Sequence, residues 1–288
     1  MTDSQPVVLV HGFWHGGWCW SRVTEQLAAR GIQSVAVDLD GHGLRSPALR
    51  ARWARPFDAT AFATESSPVA TVTASSAAAA LADQVRTIGD GRPCLVVAHS
   101  MGGAVATALA ELVPELVGGL VYVSAIAPVS GVPAGSYAAY PENAGEKLSR
   151  LLVADPAVVG AARVDFGDPA SREQIKEAFC HDADDRTAAA AIALLSPDGP
   201  LGMLREELTV TAARYGSIPH TYVTCAQDNA IRLPLQHRFI EEIDAVSATP
   251  ATVVELDTSH SPFYSQPAAL TEASATAASR SAAQTAGV

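Results

Sequence analysis

Short runs of apolar, largely β-branched residues recur along this chain, and each gives way to a turn or to a stretch with helical spacing. Pro6-Val7-Val8-Leu9-Val10, Ser34-Val35-Ala36-Val37, Cys94-Leu95-Val96-Val97, Val117 to Val123, His220 to Cys225 and Ala251 to Leu256 read as strands. Brief, near-continuous apolar runs of this kind suit strands covered on both faces. Trp18 to Arg30, Ser75 to Ile88 and Ala104 to Leu112 read as helices between them. Strands alternating with helices predict an α/β chain with a mostly parallel, doubly wound sheet. Such sheets place their chemistry at the carboxyl edge, so the residues just after each strand matter most.

From about Pro128 to Ser217 the alternation stops, and helical, Pro-broken segments take over. The expected organisation is therefore a core formed by residues 1–127 and 218–288, interrupted by a helical insertion over 128–217. Within that insertion Phe166, Phe179, Leu194, Leu195, Leu201, Met203 and Leu204 are apolar candidates for lining a pocket, most of them expected in its own core. His181-Asp182-Ala183-Asp184-Asp185 reads as an acidic helix start rather than a metal site. Arg45 to Val72, with arginines interleaved among Trp53 and Phe57, is either an excursion beside the site's mouth or a variable surface loop. The Ala/Ser/Thr-rich tail from Glu272 is expected to continue the last helix through its first half and then to fray.

Four strand ends carry candidate chemistry. Ala98-His99-Ser100-Met101-Gly102-Gly103 lies between a strand and a helix, with small residues two before and two after the serine. That arrangement is a nucleophile elbow, in which a sharp turn exposes the hydroxyl and a helix start offers backbone N–H groups. After the first strand comes His11-Gly12-Phe13-Trp14-His15-Gly16-Gly17-Trp18, where Gly12 allows close backbone approach and Phe13 N–H is a candidate oxyanion donor. Asp228 follows the strand ending at Cys225, and His260 follows the strand ending at Leu256. The chain order is serine, aspartate, histidine, as an elbow-type site requires.

Over nearly its whole length the chain resembles the α/β-hydrolase superfamily. The run His11-Gly12-Phe13-Trp14-His15-Gly16-Gly17-Trp18-Cys19-Trp20 is similar to the plant methylesterase and hydroxynitrile lyase group and its bacterial relatives. The resemblance implies Ser100 as nucleophile, His260 as general base and then acid, Asp228 as its orienting partner, and the Phe13 and Met101 N–H groups as the oxyanion hole. It also makes the 128–217 insertion a helical cap over the serine and the loop with Asp38 and His42 structural, and Gly12 and Trp14 are candidates for touching substrate. The lyases of that group carry a threonine after the first-strand histidine and a lysine after the catalytic histidine; here those positions hold Gly12 and Ser261. Ester hydrolysis is thus expected ahead of lyase chemistry.

A serine hydroxyl must hand its proton to a base as it attacks, and histidine can accept and return it near neutral pH. This chemistry needs neither metal nor cofactor. A small or medium, mostly apolar ester or lactone is the expected substrate. Acyl transfer, cyclisation or C–C lyase chemistry on the same serine is the alternative, and a non-catalytic ligand sensor is a third reading.

Composition agrees. The chain has 288 residues, 48% of them hydrophobic, enough for one large core plus an insertion. A formal net charge of −11 disfavours nucleic acid or anionic membrane as partners, leaving a small-molecule substrate. Cys19, Cys94, Cys180 and Cys225 are far apart and suggest neither disulfides nor zinc. No apolar run approaches the length of a membrane span, and with only Met1 to Gln5 before the first strand a signal peptide is not expected, so the location expected is cytoplasmic. The oligomeric state is open.

Overall fold

A computed structural model describes residues 5–286. Six strands form one fully parallel sheet in the order β2-β1-β3-β4-β7-β8. They are β1 Val7–Val10, β2 Ser34–Val37, β3 Cys94–His99, β4 Val117–Val123, β7 His220–Cys225 and β8 Thr252–Leu256. All six apolar runs identified in the sequence are strands. β1 and β3 are buried at every position, and the pairing Val7↔Leu95 through Val10↔Ala98 brings their carboxyl ends level. The strand order turns outward in opposite directions from these two strands. The crevice at their carboxyl ends is where such sheets bind ligands.

The helices follow from local signals. Ala74–Gly89 opens with a reciprocal capping box between Thr73 and Ser76 and ends at Asp90, which adopts the left-handed conformation at φ 51°. Gly102–Leu112 is Ala-rich and buried along most of its length. A Cβ on Gly103 would stand 2.5 Å from the Ile126 carbonyl oxygen, so the glycine sets how closely this helix packs. The last helix, Pro267–Ala286, runs beyond the first half of the tail to which the sequence reading confined it. The fraying expected at the end bears on residues 287–288, outside the described residues.

Between β4 and β7 the chain leaves the sheet. It forms the helices Arg172–Phe179, Asp185–Leu194 and Leu201–Arg205, but also an antiparallel pair, β5 Ala161–Arg163 with β6 Asp198–Pro200. The segment that reads as helical and Pro-broken thus also contains a small antiparallel sheet. The fully buried Arg163 pins that pair, donating from Nε and Nη2 to the two carboxylate oxygens of Asp198 at 2.7 and 2.8 Å. Its Nη1 donates to the Phe62 and Glu65 carbonyls, tying the pair to the 45–72 excursion. Ser67 N–H bonds to Val159 O and Gly202 N–H to Ala70 O, so the excursion is packed against this segment. Asp184 caps the helix Asp185–Leu194 through Thr187 N–H, while Asp182 accepts from Thr258 Oγ1 at 2.7 Å and Ser259 N–H at 3.0 Å in the loop before His260. All four cysteines are buried and unpaired. No helix among the described residues is long and apolar enough to cross a membrane.

Candidate active site

Five neighbouring strands deliver their carboxyl ends to one place. Ser100 follows β3 directly and sits in the left-handed region at φ 53°, a strained conformation for a residue with a side chain. Hydrogen bonds on both sides hold it there: its N–H donates to Val123 O at 3.2 Å, and its carbonyl accepts from Ile126 N–H at 3.0 Å. The turn tolerates only small neighbours. A Cβ on Gly102 would collide with the His11 carbonyl, and one on Gly12 would stand 2.5 Å from Ser100 Cβ.

The structure brings Ser100, His260 and Asp228 into one hydrogen-bonded line. Ser100 Oγ donates to His260 Nε2 at 3.0 Å, and His260 Nδ1 donates to Asp228 Oδ2 at 2.7 Å. Asp228 is fully buried, and its carboxylate oxygens accept from several donors. Its Oδ1 accepts from Ala230 N–H at 2.6 Å and Ile231 N–H at 2.9 Å, and its Oδ2 also accepts from Ser124 Oγ. His260 is buried while Ser100 remains partly exposed.

Among the described residues, the backbone N–H groups of Phe13 and Met101 make no hydrogen bond. Met101 leads into the helix Gly102–Leu112, whose N-terminal end carries partial positive charge. The Phe13 ring packs on Gly199 of β6. Trp14, at φ 64°, donates its indole N–H to Ala162 O at 3.0 Å, and its carbonyl accepts from Ser196 N–H at 2.8 Å. The Trp14 ring meets Phe166 and Phe179 edge-on, and Phe179 lies 5.9 Å from the His260 ring. Of the apolar positions in the 128–217 segment, Phe179 thus reaches the His260 ring and Phe166 the Trp14 ring, whereas Leu194 is exposed.

Two residues at the site escaped the sequence reading. Ser124, at φ 38°, ends β4 and reaches Asp228; its position just past a strand was the available signal. His99, directly before Ser100, donates from Nε2 to the His260 carbonyl at 2.8 Å. Burial drives the His99 imidazole well below its usual range, aided by the neighbouring His260 and His15, so it serves as a neutral brace. His11 and His15 are likewise lowered to about 3 by burial and His42 to about 4, which keeps positive charge out of the layer beneath the site. Asp38 spends its carboxylate on Gly17 and Leu44 N–H groups, a structural duty in keeping with its turn sequence. Leu49, Arg52 and Trp53 of the 45–72 excursion line a cavity of about 260 Å³ together with Trp14 and His15.

The model of the alpha/beta hydrolase family matches residues 7–273. The chain belongs to the alpha/beta hydrolase family. It is 26% identical over 269 residues to methylesterase 7 of Arabidopsis thaliana, covering 92% of this chain and 93% of that one. It is also 26% identical over 275 residues to a pyrethroid hydrolase of Sphingobium wenxiniae, covering 93% and 85%. The crystal structure of polyneuridine aldehyde esterase superimposes with a TM-score of 0.71 at 19% identity, over 95% of this chain and 99% of that chain, and shares the fold.

Proposed function

We propose that this hydrolase cleaves small to medium, mostly apolar carboxylic esters or lactones through an acyl-enzyme on Ser100. The observation that carries the reading is the serine–histidine–aspartate line, with links of 3.0 and 2.7 Å. Ser100 Oγ attacks the ester carbonyl as its proton passes to His260 Nε2. Asp228 holds the imidazole in the tautomer with Nδ1–H and stabilises the imidazolium that forms. The Phe13 and Met101 N–H groups meet the developing oxyanion, each contributing on the order of 3 kcal/mol. Collapse expels the alcohol, which takes the proton from His260. Water, deprotonated by the same histidine, then releases the acid and restores Ser100.

The substrate class rests on the aromatic surround of Trp14, Phe166 and Phe179 and on relatives named methylesterase and pyrethroid hydrolase. We assign residues 128–217 as the cap over this site, since they pack on Phe13 and Trp14. Gly12, beside Ser100, and Trp14 would border the bound ester. Lyase chemistry of the hydroxynitrile type is disfavoured, because Gly12 and Ser261 supply neither a threonine hydroxyl nor a lysine cation at the two positions that chemistry uses.

Turnover of p-nitrophenyl esters from acetate to octanoate by the native protein and by Ser100→Ala tests the reading. Hydrolysis abolished in the variant supports it. Equal rates in both proteins would remove Ser100 from the mechanism.

A further inference from the structure

A cavity of about 500 Å³ lies where the helix Ser21–Ala29 faces the helix Asp185–Leu194, and Ser100 does not line it. Its size falls within the roughly 300–1,000 Å³ range of small-molecule sites. Trp18, Phe263, Tyr264 and Leu194 give it an apolar, largely aromatic wall, and Arg22 and Arg186 bring two cations to it. The Trp18 and Tyr264 rings are nearly parallel, 14° apart in plane.

The charge balance is specific. Asp184 is the one carboxylate among the lining residues, and both its oxygens are committed to Thr187, at the backbone N–H and the hydroxyl. Two guanidinium groups thus face a single, already bonded carboxylate, giving a locally cationic cavity in a chain of formal net charge −11. Arg22 is held in place, donating from Nη1 to Tyr264 O at 2.8 Å and from Nη2 to Thr187 Oγ1 at 2.9 Å. The Tyr264 hydroxyl is buried and has no hydrogen-bond partner among the described residues, an unusual state for such a group.

We propose that this cavity is a second ligand site, separate from Ser100, that takes an aromatic or arylalkyl carboxylate. The arene lies against Trp18 and Tyr264, and the carboxylate meets Arg186 and the free donors of Arg22. Any occupant joins the helix Asp185–Leu194 to the segment that follows His260, because Phe263 and Tyr264 belong to both the cavity wall and that segment.

The test is calorimetric titration of full-length Ser100→Ala with 1-naphthylacetate, a probe that needs no turnover. One equivalent should bind saturably. Arg186→Gln, at an exposed position that packing does not depend on, should weaken binding roughly tenfold, and Arg22→Gln in a folded protein by a similar factor. The neutral alcohol 2-(1-naphthyl)ethanol should bind more weakly than the acid to the unsubstituted cavity. In wild type, phosphonylation of Ser100 should leave the affinity unchanged. Loss of binding on phosphonylation would place the ligand at Ser100 instead. Affinity unchanged from that of the unsubstituted cavity in both Arg186→Gln and Arg22→Gln, or no saturation by about 10 mM ligand, would overturn the assignment.

Discussion

Gly12 lies so close to Ser100 that a Cβ added to it would stand 2.5 Å from the Cβ of Ser100 and 3.1 Å from Oγ. The absence of a side chain at residue 12 is therefore a condition for the serine to occupy its place at the strand end. Both partners are fixed by backbone: Gly12 extends from β1 and Ser100 from β3, which are paired in register. Gly12→Ala should lower kcat on p-nitrophenyl acetate by about 10²-fold, because displacing reacting atoms by about an ångström carries that order of penalty. Overpacking should also cost about 1–3 kcal/mol of stability. Steady-state kinetics with chemical denaturation checks both, and native-like kcat in the variant would show that the serine does not depend on this contact.

Asp228 is held by donors from three elements: the loop after β7, Ser124 at the end of β4, and His260 after β8. Asp228→Asn should preserve the fold and slow turnover by about 10³–10⁴-fold, since the amide favours the wrong imidazole tautomer. Ser124→Ala leaves Asp228 with its remaining partners, so the expected loss is far smaller, about tenfold in kcat with KM little changed. A Ser124→Ala defect as severe as that of Asp228→Asn would show that the hydroxyl takes part in the chemistry itself.

Acid should weaken this protein earlier than carboxylate protonation alone would. Burial lowers His11 and His15 to about 3 and His42 and His220 to about 4, against 6.5 for free imidazole. Between pH 6.5 and 4 the unfolded chain binds protons at these four sites that the folded chain refuses, so stability falls as pH falls. Above pH 6.5 both states are neutral there and the effect vanishes. Urea unfolding at pH 7, 6 and 5 should show a progressive loss, reaching more than about 1 kcal/mol per pH unit below pH 6. Constant stability from pH 7 to 5 would mean that these histidines are not neutral in the folded protein.

The Arg163–Asp198 pair should carry much of the stability of the 128–217 segment. Both groups are buried and meet through two parallel hydrogen bonds. Removing the cation alone strands a buried carboxylate, so Arg163→Met should cost about 3–5 kcal/mol. Arg163→Lys should rescue little, because an ammonium cannot make the two-pronged contact. Denaturation midpoints of the two variants measure this, and a midpoint unchanged in Arg163→Met would remove the pair from the account.

The sheet was legible because its strands are uninterrupted apolar runs, and the elbow because small residues flank Ser100 on both sides. The pairing of β5 with β6 was not. Ala161-Ala162-Arg163 and Asp198-Gly199-Pro200 show no alternation, and the ion pair that joins them links positions 35 residues apart, which no local pattern records. Asp228, His260 and Ser124 all stand just past strand ends, but only the first two complete the serine, aspartate, histidine order along the chain. The brace from His99 depends on its reaching the His260 carbonyl, a relation between β3 and the loop after β8 that only the fold creates. The 45–72 excursion gave no periodic signal, since its place is set by hydrogen bonds from Arg163 to the Phe62 and Glu65 carbonyls.

Whether Ser100 is a nucleophile is decided by intact mass of the native protein, Ser100→Ala and His260→Ala after exposure to a p-nitrophenyl phosphonate. Rapid addition of a single phosphonyl group to the native protein is expected, with none to Ser100→Ala and sharply slowed labelling of His260→Ala, in which the proposed base is gone. Labelling of Ser100→Ala at the native rate, or a native protein left unmodified, would contradict a nucleophilic Ser100.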